Sequence, residues 1–316
     1  MASVLPSSID QNFRLDTTGK ESFVLKISNS SERPESLDAQ VRALEYLAAE
    51  PPIALRVPFV TRRPNGDATI CTRGHLVWLV SWLEGRPIAD LASRPHALLR
   101  EFGRVLGELD ARLAGFDDPA LHREFRWDLI RAPAVIGLAD HIPDPAGRRH
   151  VVRRLRRFAT DTISRLEQLP FQVVHNDAND HNLLVQPAAS GDGFVPCALL
   201  DFGDLLWTPR VAEAAIATTY AMLGSEEPVE AAGALLSGYH AALPLAPEER
   251  GLLPDLIEAR LCASVAISAY ERACDPDNAF VTVSEAPAWQ LLERVAEERF
   301  RSRLATAFAE MTWQED

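Results

Sequence analysis

Two polar loops, each entered from a short apolar run, constrain this chain more than any other feature. Val173 and Val174 lead into HNDANDHN at His175 to Asn182, and the run NLLV follows; further on, CALL leads into LLDFGD at Leu199 to Asp204. Between them Ser190, Gly191, Asp192 and Gly193 make a turn signal, so NLLV and CALL read as a β-hairpin. A turn centred near Gly191 and Asp192 sets Asn182 and Asp201 roughly opposite each other across the ladder, where two oxygen ligands can share an ion. Asp177 is expected just outside the buried element that Val173 and Val174 belong to.

H-x-D-x-x-x-x-N followed by D-F-G is the pattern of the catalytic loop and metal-binding pair of the kinase fold. Asp177 is then the base that accepts a hydroxyl proton, and Asn182 and Asp201 are the ligands of Mg²⁺. Two other readings compete. Asp and Asn are turn formers, so the cluster is also compatible with a plain turn. His175, Asp177 and His181 have the ligand types of a transition-metal site, a reading that leaves the distal DFGD without a purpose.

Phosphoryl transfer also needs a cation on the nucleotide phosphates. In ESFVLKIS, Phe23, Leu25 and Ile27 alternate with Val24 and Lys26, a period of two that marks a strand with Lys26 on the face opposite the Phe23 row. F-V-L-K corresponds to the V-A-I-K strand of kinases, which makes Lys26 the contact for the α and β phosphates; a strand lysine without such partners merely solvates an exposed face. Upstream, LPSSIDQNFRLD occupies the place of a phosphate-covering hairpin but contains no G-x-G-x-x-G. Ser7, Ser8, Gln11 and Asn12 are the candidates to offer hydroxyls, amides and backbone N–H groups there, with a plain surface turn as the alternative. The first strand is expected to be very short.

Leu37, Val41, Leu44, Tyr46, Leu47 and Ala48 next give a helical stripe, with Ser36 as N-cap and Pro51 as stop. An acidic partner for Lys26 from this helix is left open among Asp38, Gln40 and Glu45. DATICTR and HLVWLVSWLEGRP read as two strands and a connector, whose backbone from Ser81 to Leu83 is positioned to read a purine edge; Trp78 and Trp82 read as packing residues. From Pro87 the patterns turn helical. Leu98, Phe102, Val105, Leu106 and Leu109 share one face, and Val152, Leu155, Phe158 and Ile163 share another whose opposite side carries solvated arginines. The expectation is an α+β, bilobal, protein-kinase-like fold, with a small β-rich nucleotide-binding lobe over 1–86 and a larger, mainly helical catalytic and substrate-binding lobe over 87–316.

Composition narrows the partners. A net charge of −13 disfavours nucleic acid and anionic membranes, and no apolar run of roughly eighteen residues or signal-peptide pattern points into a membrane. Cys71, Cys197, Cys262 and Cys274 show no CxxC or disulfide-framework spacing, which suits a reducing cytoplasm. Asn176 stands where protein kinases carry the arginine that couples to a phosphorylated activation segment, and only LLWTP separates Asp204 from Arg210. That segment is too short to dock a polypeptide, so a small-molecule hydroxyl acceptor is expected.

On HNDANDHN, DFGD, REFRWDL at Arg123 to Leu129, EAAIATTYAML and LLPDLIEARLCASVAISAYERA, the chain resembles the aminoglycoside phosphotransferase and choline kinase superfamily from its first residues to about Arg294. Within it the chain is most similar to the hydroxylysine kinase branch, whose bacterial forms are found fused to class III aminotransferases. The resemblance implies Mg²⁺-dependent transfer of the γ-phosphate of ATP or GTP to an amino-alcohol or amino acid such as hydroxylysine, and a functional link to a PLP-dependent aminotransferase. Aminoglycosides, choline or ethanolamine, and homoserine are the alternative acceptors, and Gln40 sits about where many members carry the lysine's glutamate partner. An amine-bearing acceptor calls for carboxylates, with Asp204, Glu213 and Asp128 as suppliers, and for aromatics, with Trp127, Trp207 and Tyr220 available. Glu213 as a helix cap and Trp207 as core filler are the bland counterparts. Rival readings of the whole chain are a catalytically silent nucleotide-binding or regulatory domain and a metal-dependent phosphoesterase.

Overall fold

The computed structural model describes residues 1–7, 10–19, 21–49, 54–278 and 283–310. Strands β1 (Ala2–Leu5), β2 (Gln11–Asp16), β3 (Ser22–Ile27), β4 (Thr69–Thr72) and β5 (His75–Ser81) form an antiparallel sheet in the order β1-β2-β3-β5-β4. Along β5 the alternation of Leu76, Trp78 and Val80 with more exposed neighbours marks the inner face. Lys26 lies directly across from Trp78, so it shares that face, its ammonium 5.5 Å from the Trp78 ring centroid. Trp78 is a packing residue, as its alternation suggests.

Helix α1 (Pro34–Ala49) buries Leu37, Val41 and Leu44. It starts at Pro34, whose φ is pre-set for the first helical position, so Ser36 sits buried in the first turn and is not the N-cap. Pro51 lies outside the described residues. After the short strand β6 (Arg86–Pro87) comes α2 (His96–Leu113), with Leu98, Phe102, Val105, Leu106 and Leu109 all buried as the periodicity predicts. A 3₁₀ stretch, Leu129–His141, leads to α3 (Pro145–Asp161), whose first amides at Ala146 and Gly147 donate to the Asp144 carboxylate. The basic run is not one helix: it breaks at Thr162 and resumes as the single-turn α4 (Ile163–Leu166). Its buried face is Val151, Leu155, Phe158 and Leu166, so Leu155 and Phe158 lie where the stripe predicts, while Val152 and Ile163 are half-buried.

The chain then forms β7 (Phe171–Val174), β8 (Leu183–Pro187), β9 (Phe194–Leu199) and β10 (Leu206–Pro209), followed by α5 (Val211–Met222), α6 (Pro228–Ala242), α7 (Pro247–Cys274), α8 (Glu285–Val295) and α9 (Glu298–Ala309). The expected NLLV–CALL hairpin is β8–β9. Every residue of α5 is buried, which its run of Ala, Thr and Ile permits, and α7 is buried over most of its length. The fold is thus the expected mixed α+β one, a β-sheet N-terminal part with a helical remainder. No described helix is long and apolar enough to cross a membrane.

α2 and α6 touch backbone to backbone. A Cβ at Gly103 would meet the Leu235 carbonyl oxygen at 1.9 Å, and one at Gly238 would meet that of Arg100 at 1.8 Å. Only hydrogen fits at either position. Gly238→Ala is therefore expected to force the helices apart and destabilise the protein by about 3 kcal/mol, read as a lower urea midpoint; an unchanged midpoint would show that this crossing yields at no cost.

Candidate active site

Strand pairing closes both polar loops at both ends. β7 pairs with β10, setting Val174 opposite Leu206, and β8 pairs with β9, setting Leu183 opposite Leu199. The first loop runs from β7 to β8 and the second from β9 to β10, so topology holds them face to face. The Leu200 N–H donates to the Asn182 carbonyl at 2.9 Å. His175 Nε2 donates to the Leu200 carbonyl at 2.9 Å, and its Nδ1 accepts the Asp177 N–H at 3.3 Å. Burial pushes the imidazole down to about 4, so the ring is neutral, as this pair of bonds requires. Both ring nitrogens are engaged, which removes the transition-metal set of His175, Asp177 and His181. No group of three or more His, Cys, Asp or Glu is arranged to hold a metal among the described residues.

Asp177 is gripped from its own loop. Asn179 Nδ2 donates to its Oδ1 at 2.9 Å and Asn182 Nδ2 to its Oδ2 at 2.7 Å. Asn179 Oδ1 in turn accepts the amides of His181 and Asn182 at 2.8 and 3.1 Å. Asn179 escapes the sequence reading, though a side-chain amide two residues past an Asp is a recognisable loop former. Burial raises the Asp177 carboxyl to about 6, against the opposing pull of Arg260 and the two amides. With Nδ2 committed to Asp177, Asn182 has Oδ1 left for a cation; the Asp201 side chain is 51% exposed. An amide oxygen and a carboxylate are the donor types a hard divalent cation takes. Asn176 and Asp201 both hold the left-handed backbone, at φ 66° and 57°, which Asn and Asp tolerate better than other side chains with a Cβ.

On the side of the N-terminal sheet, Lys26 Nζ lies 2.9 Å from Asp201 Oδ1. Burial works against its charge, but Asp201, with help from Asp10 and Asp204, raises the lysine above its ordinary value; Lys26 in turn holds Asp201 below its own. None of the three α1 candidates fills this role: Asp38 is exposed, Gln40 is buried and carries no charge, and Glu45 binds Arg62 at 2.7 Å. Asp10, in the turn before β2, accepts two bonds from Asn29 and went unremarked in the sequence reading. Ser7 is half-buried, Gln11 is exposed at the start of β2, and Ser8 lies outside the described residues. Asn12 stands directly across from Lys26, its Oδ1 buried without a partner. Ser81 is spent on the fold, since its N–H donates to the Phe59 carbonyl and its Oγ accepts the Phe59 N–H. Leu83 packs with Leu184, Cys197 and Ala198.

The proposed acceptor residues separate. Asp204 feels the loops' charges: burial, then Asp177 and Asp201, raise it well above its usual range. Glu213 is fully buried and its Oε2 accepts the Asn176 N–H at 2.5 Å, so it holds the first loop; burial lifts it to about 7. Asp128 caps the 3₁₀ stretch and accepts Thr208 Oγ1 at 2.9 Å. Trp207 is sandwiched between His122 and Phe171, each ring centroid 4.5 Å away. Trp127 and Tyr220 do face a cation, but it is the chain's own Arg260, with Cζ 4.6 and 5.5 Å from their rings. Two arginines were not foreseen. Arg260 reaches Asp177 from α7 at 3.5 Å, and Arg123 donates to the carbonyls of Gly203 and Leu205, clamping the second loop. The signal for Arg260 is a charge that falls, with Glu258 two residues before it, within the buried stretch of a helix.

Known proteins resemble the chain over most of its length. The model of the phosphotransferase enzyme family matches residues 2–252. A hydroxylysine kinase of Mus musculus is 33% identical over 92% of this chain and 83% of its own length. Among solved structures, an amicoumacin kinase in complex with AMP-PNP, Ca²⁺ and Ami superposes with a TM-score of 0.69 at 16% identity, covering 98% of this chain and 92% of that one. A microcompartment-associated aminopropanol kinase superposes with a TM-score of 0.63 at 16% identity, over 98% and 95% of the two chains.

The bridge between the loops is testable. His175→Ala leaves the Leu200 carbonyl and the Asp177 N–H without their partner in a buried site, which is expected to lower stability by about 3 kcal/mol. A melting temperature equal to that of the unsubstituted protein would contradict this role.

Proposed function

The chain belongs to the phosphotransferase enzyme family, and from that premise we propose that it moves the γ-phosphate of ATP or GTP onto a hydroxyl of an amine-bearing amino-alcohol or amino acid of the hydroxylysine kind. It is a small-molecule phosphotransferase acting on a hydroxyl group. The observation that carries the residue assignment is the grip on Asp177, whose two oxygens are held by Asn179 and Asn182 beside the Lys26–Asp201 pair. We read residues 1–86 as the nucleotide-binding lobe, with Ser7, Gln11, Leu83 and their neighbours near the donor, and 87–316 as the catalytic and acceptor-binding lobe.

In this reading Asp177 takes the proton from the acceptor hydroxyl. The hydroxyl oxygen bonds to the γ-phosphorus while the bond to the β-phosphate oxygen breaks, releasing the nucleoside diphosphate. A carboxylate raised to about 6 is still mostly ionised at neutral pH, yet a stronger base than an ordinary aspartate. Lys26 offsets phosphate charge, and Asn182 Oδ1 with the Asp201 carboxylate suits Mg²⁺. When bound, that ion neutralises charge across the phosphates. Asp204 is the carboxylate best placed for the acceptor's ammonium, because its neighbours' negative charge makes a cation welcome there. The resemblance to hydroxylysine kinases supports this acceptor class, and also a functional partnership with a PLP-dependent aminotransferase.

Asp177→Ala is expected to reduce turnover by about a thousandfold while nucleotide-induced thermal stabilisation is kept; near-normal turnover in that variant would sink the mechanism. The base must be ionised, so the rate is expected to rise with pH through an apparent value of about 6 set by the coupled carboxylates and to be lost below it. A rate flat down to ordinary aspartate values would assign the base elsewhere. Thermal-shift titration with ATP and GTP, with and without Mg²⁺, identifies the donor.

A further inference from the structure

Phosphoryl transfer as described makes no use of Arg260, and a guanidinium beside the base works against it by stabilising the ionised form. The side chain is 2% exposed, yet its contacts are long. Nη2 stands 3.3 Å from the Tyr220 hydroxyl and 3.5 Å from Asp177 Oδ1, and Nη1 stands 3.4 Å from the Trp127 carbonyl. Nε is buried without a partner. The rings of Trp127 and Tyr220, 4.6 and 5.5 Å from Cζ, hold the guanidinium as aromatic neighbours of arginine do.

A buried cation so thinly paired is costly to keep and marks a place where an anion is wanted. The phosphates fall to Lys26 in the reading above. What remains beside Asp177, itself 22% exposed, is the acceptor, whose hydroxyl must reach that carboxylate. The anion that fits a planar guanidinium fork is a carboxylate, held by parallel N–H···O bonds.

We propose that Arg260 binds a carboxylate of the acceptor, so that the substrate is a hydroxy amino acid and not choline, a simple amino-alcohol or an aminoglycoside. The inference rests on the phosphoryl-transfer reading of the same site. It makes the site a receptor for a zwitterion, with Asp204 for the ammonium and Arg260 for the carboxylate. Trp127 and Tyr220 then act through Arg260, as positioning residues.

The test compares hydroxylysine with its decarboxylated diamine, which keeps the hydroxyl and both amines. Turnover and calorimetric binding are measured on the full chain and on Arg260→Lys, with Arg260→Gln as a second variant and melting temperatures confirming that both fold. The unsubstituted protein is expected to prefer hydroxylysine in kcat/KM by about tenfold or more. Arg260→Lys is expected to narrow that ratio to within about threefold, through the KM for hydroxylysine more than through kcat. Absence of a preference, or equal losses on both acceptors in the folded variants, overturns the carboxylate assignment and leaves the kinase reading standing. Arg260-dependent binding of hydroxylysine without turnover by either nucleotide would do the reverse, and no binding of hydroxylysine at all overturns the inference outright.

Discussion

A neutral imidazole holds together the two loops on which the proposed chemistry depends. His175 gives its one proton to the Leu200 carbonyl and its free lone pair to the Asp177 amide, so a single buried ring links the end of β9 to the residue proposed as base. This arrangement works only because the ring stays uncharged. A second proton would set N–H against N–H, and burial keeps that proton away down to about pH 4. The pairing of β7 with β10 and of β8 with β9 supplies the frame, and Glu213 completes it by accepting the Asn176 N–H from below.

Charge inside that frame is arranged in opposition. Asp177, Asp201 and Asp204 repel one another, and each is balanced differently. Asp201 has Lys26 in contact and titrates low; Asp177 has the more distant Arg260 and titrates high; Asp204, buried beside Asp177 and Asp201, is raised well above its ordinary range. Environments that push like groups apart let one side-chain type serve the three roles proposed here, metal ligand, base and cation receptor. The Lys26–Asp201 pair also stands in for the α1 glutamate that the kinase pattern leads one to expect, since the Lys26 ammonium finds its counter-charge on the far loop.

The helices serve this site from beneath. α5 is buried at every residue and carries Glu213 and Tyr220, while α7 carries Arg260. Polar groups on helices sunk this deep must meet one another or a ligand, because no solvent reaches them. The glycine contacts of α2 with α6 belong to the same economy of space, letting the backbones approach until a methyl group no longer fits.

Much of this was legible in the linear sequence. The spacing of Asp177, Asn182 and Asp201, the hairpin around Gly191 and Asp192, and the period-two strand of Lys26 are local patterns, and local patterns follow from the two repeat lengths of the backbone. The strand β10 was not readable, because a four-residue run ending in Pro209 becomes a strand only when β7 lies beside it. Nor were the partners. Lys26 meets Asp201 across a separation of 175 residues, and Arg260 meets Asp177 across 83. Asp128, Glu213 and Trp207 had the chemistry of substrate contacts but were claimed by Thr208, by the Asn176 amide and by two flanking rings. Sequence alone determined the order and spacing of the side chains proposed to carry the chemistry; the tertiary structure decided which of them lie together and which are engaged elsewhere, because a side chain's partner is set by packing between elements, about which spacing within an element says nothing.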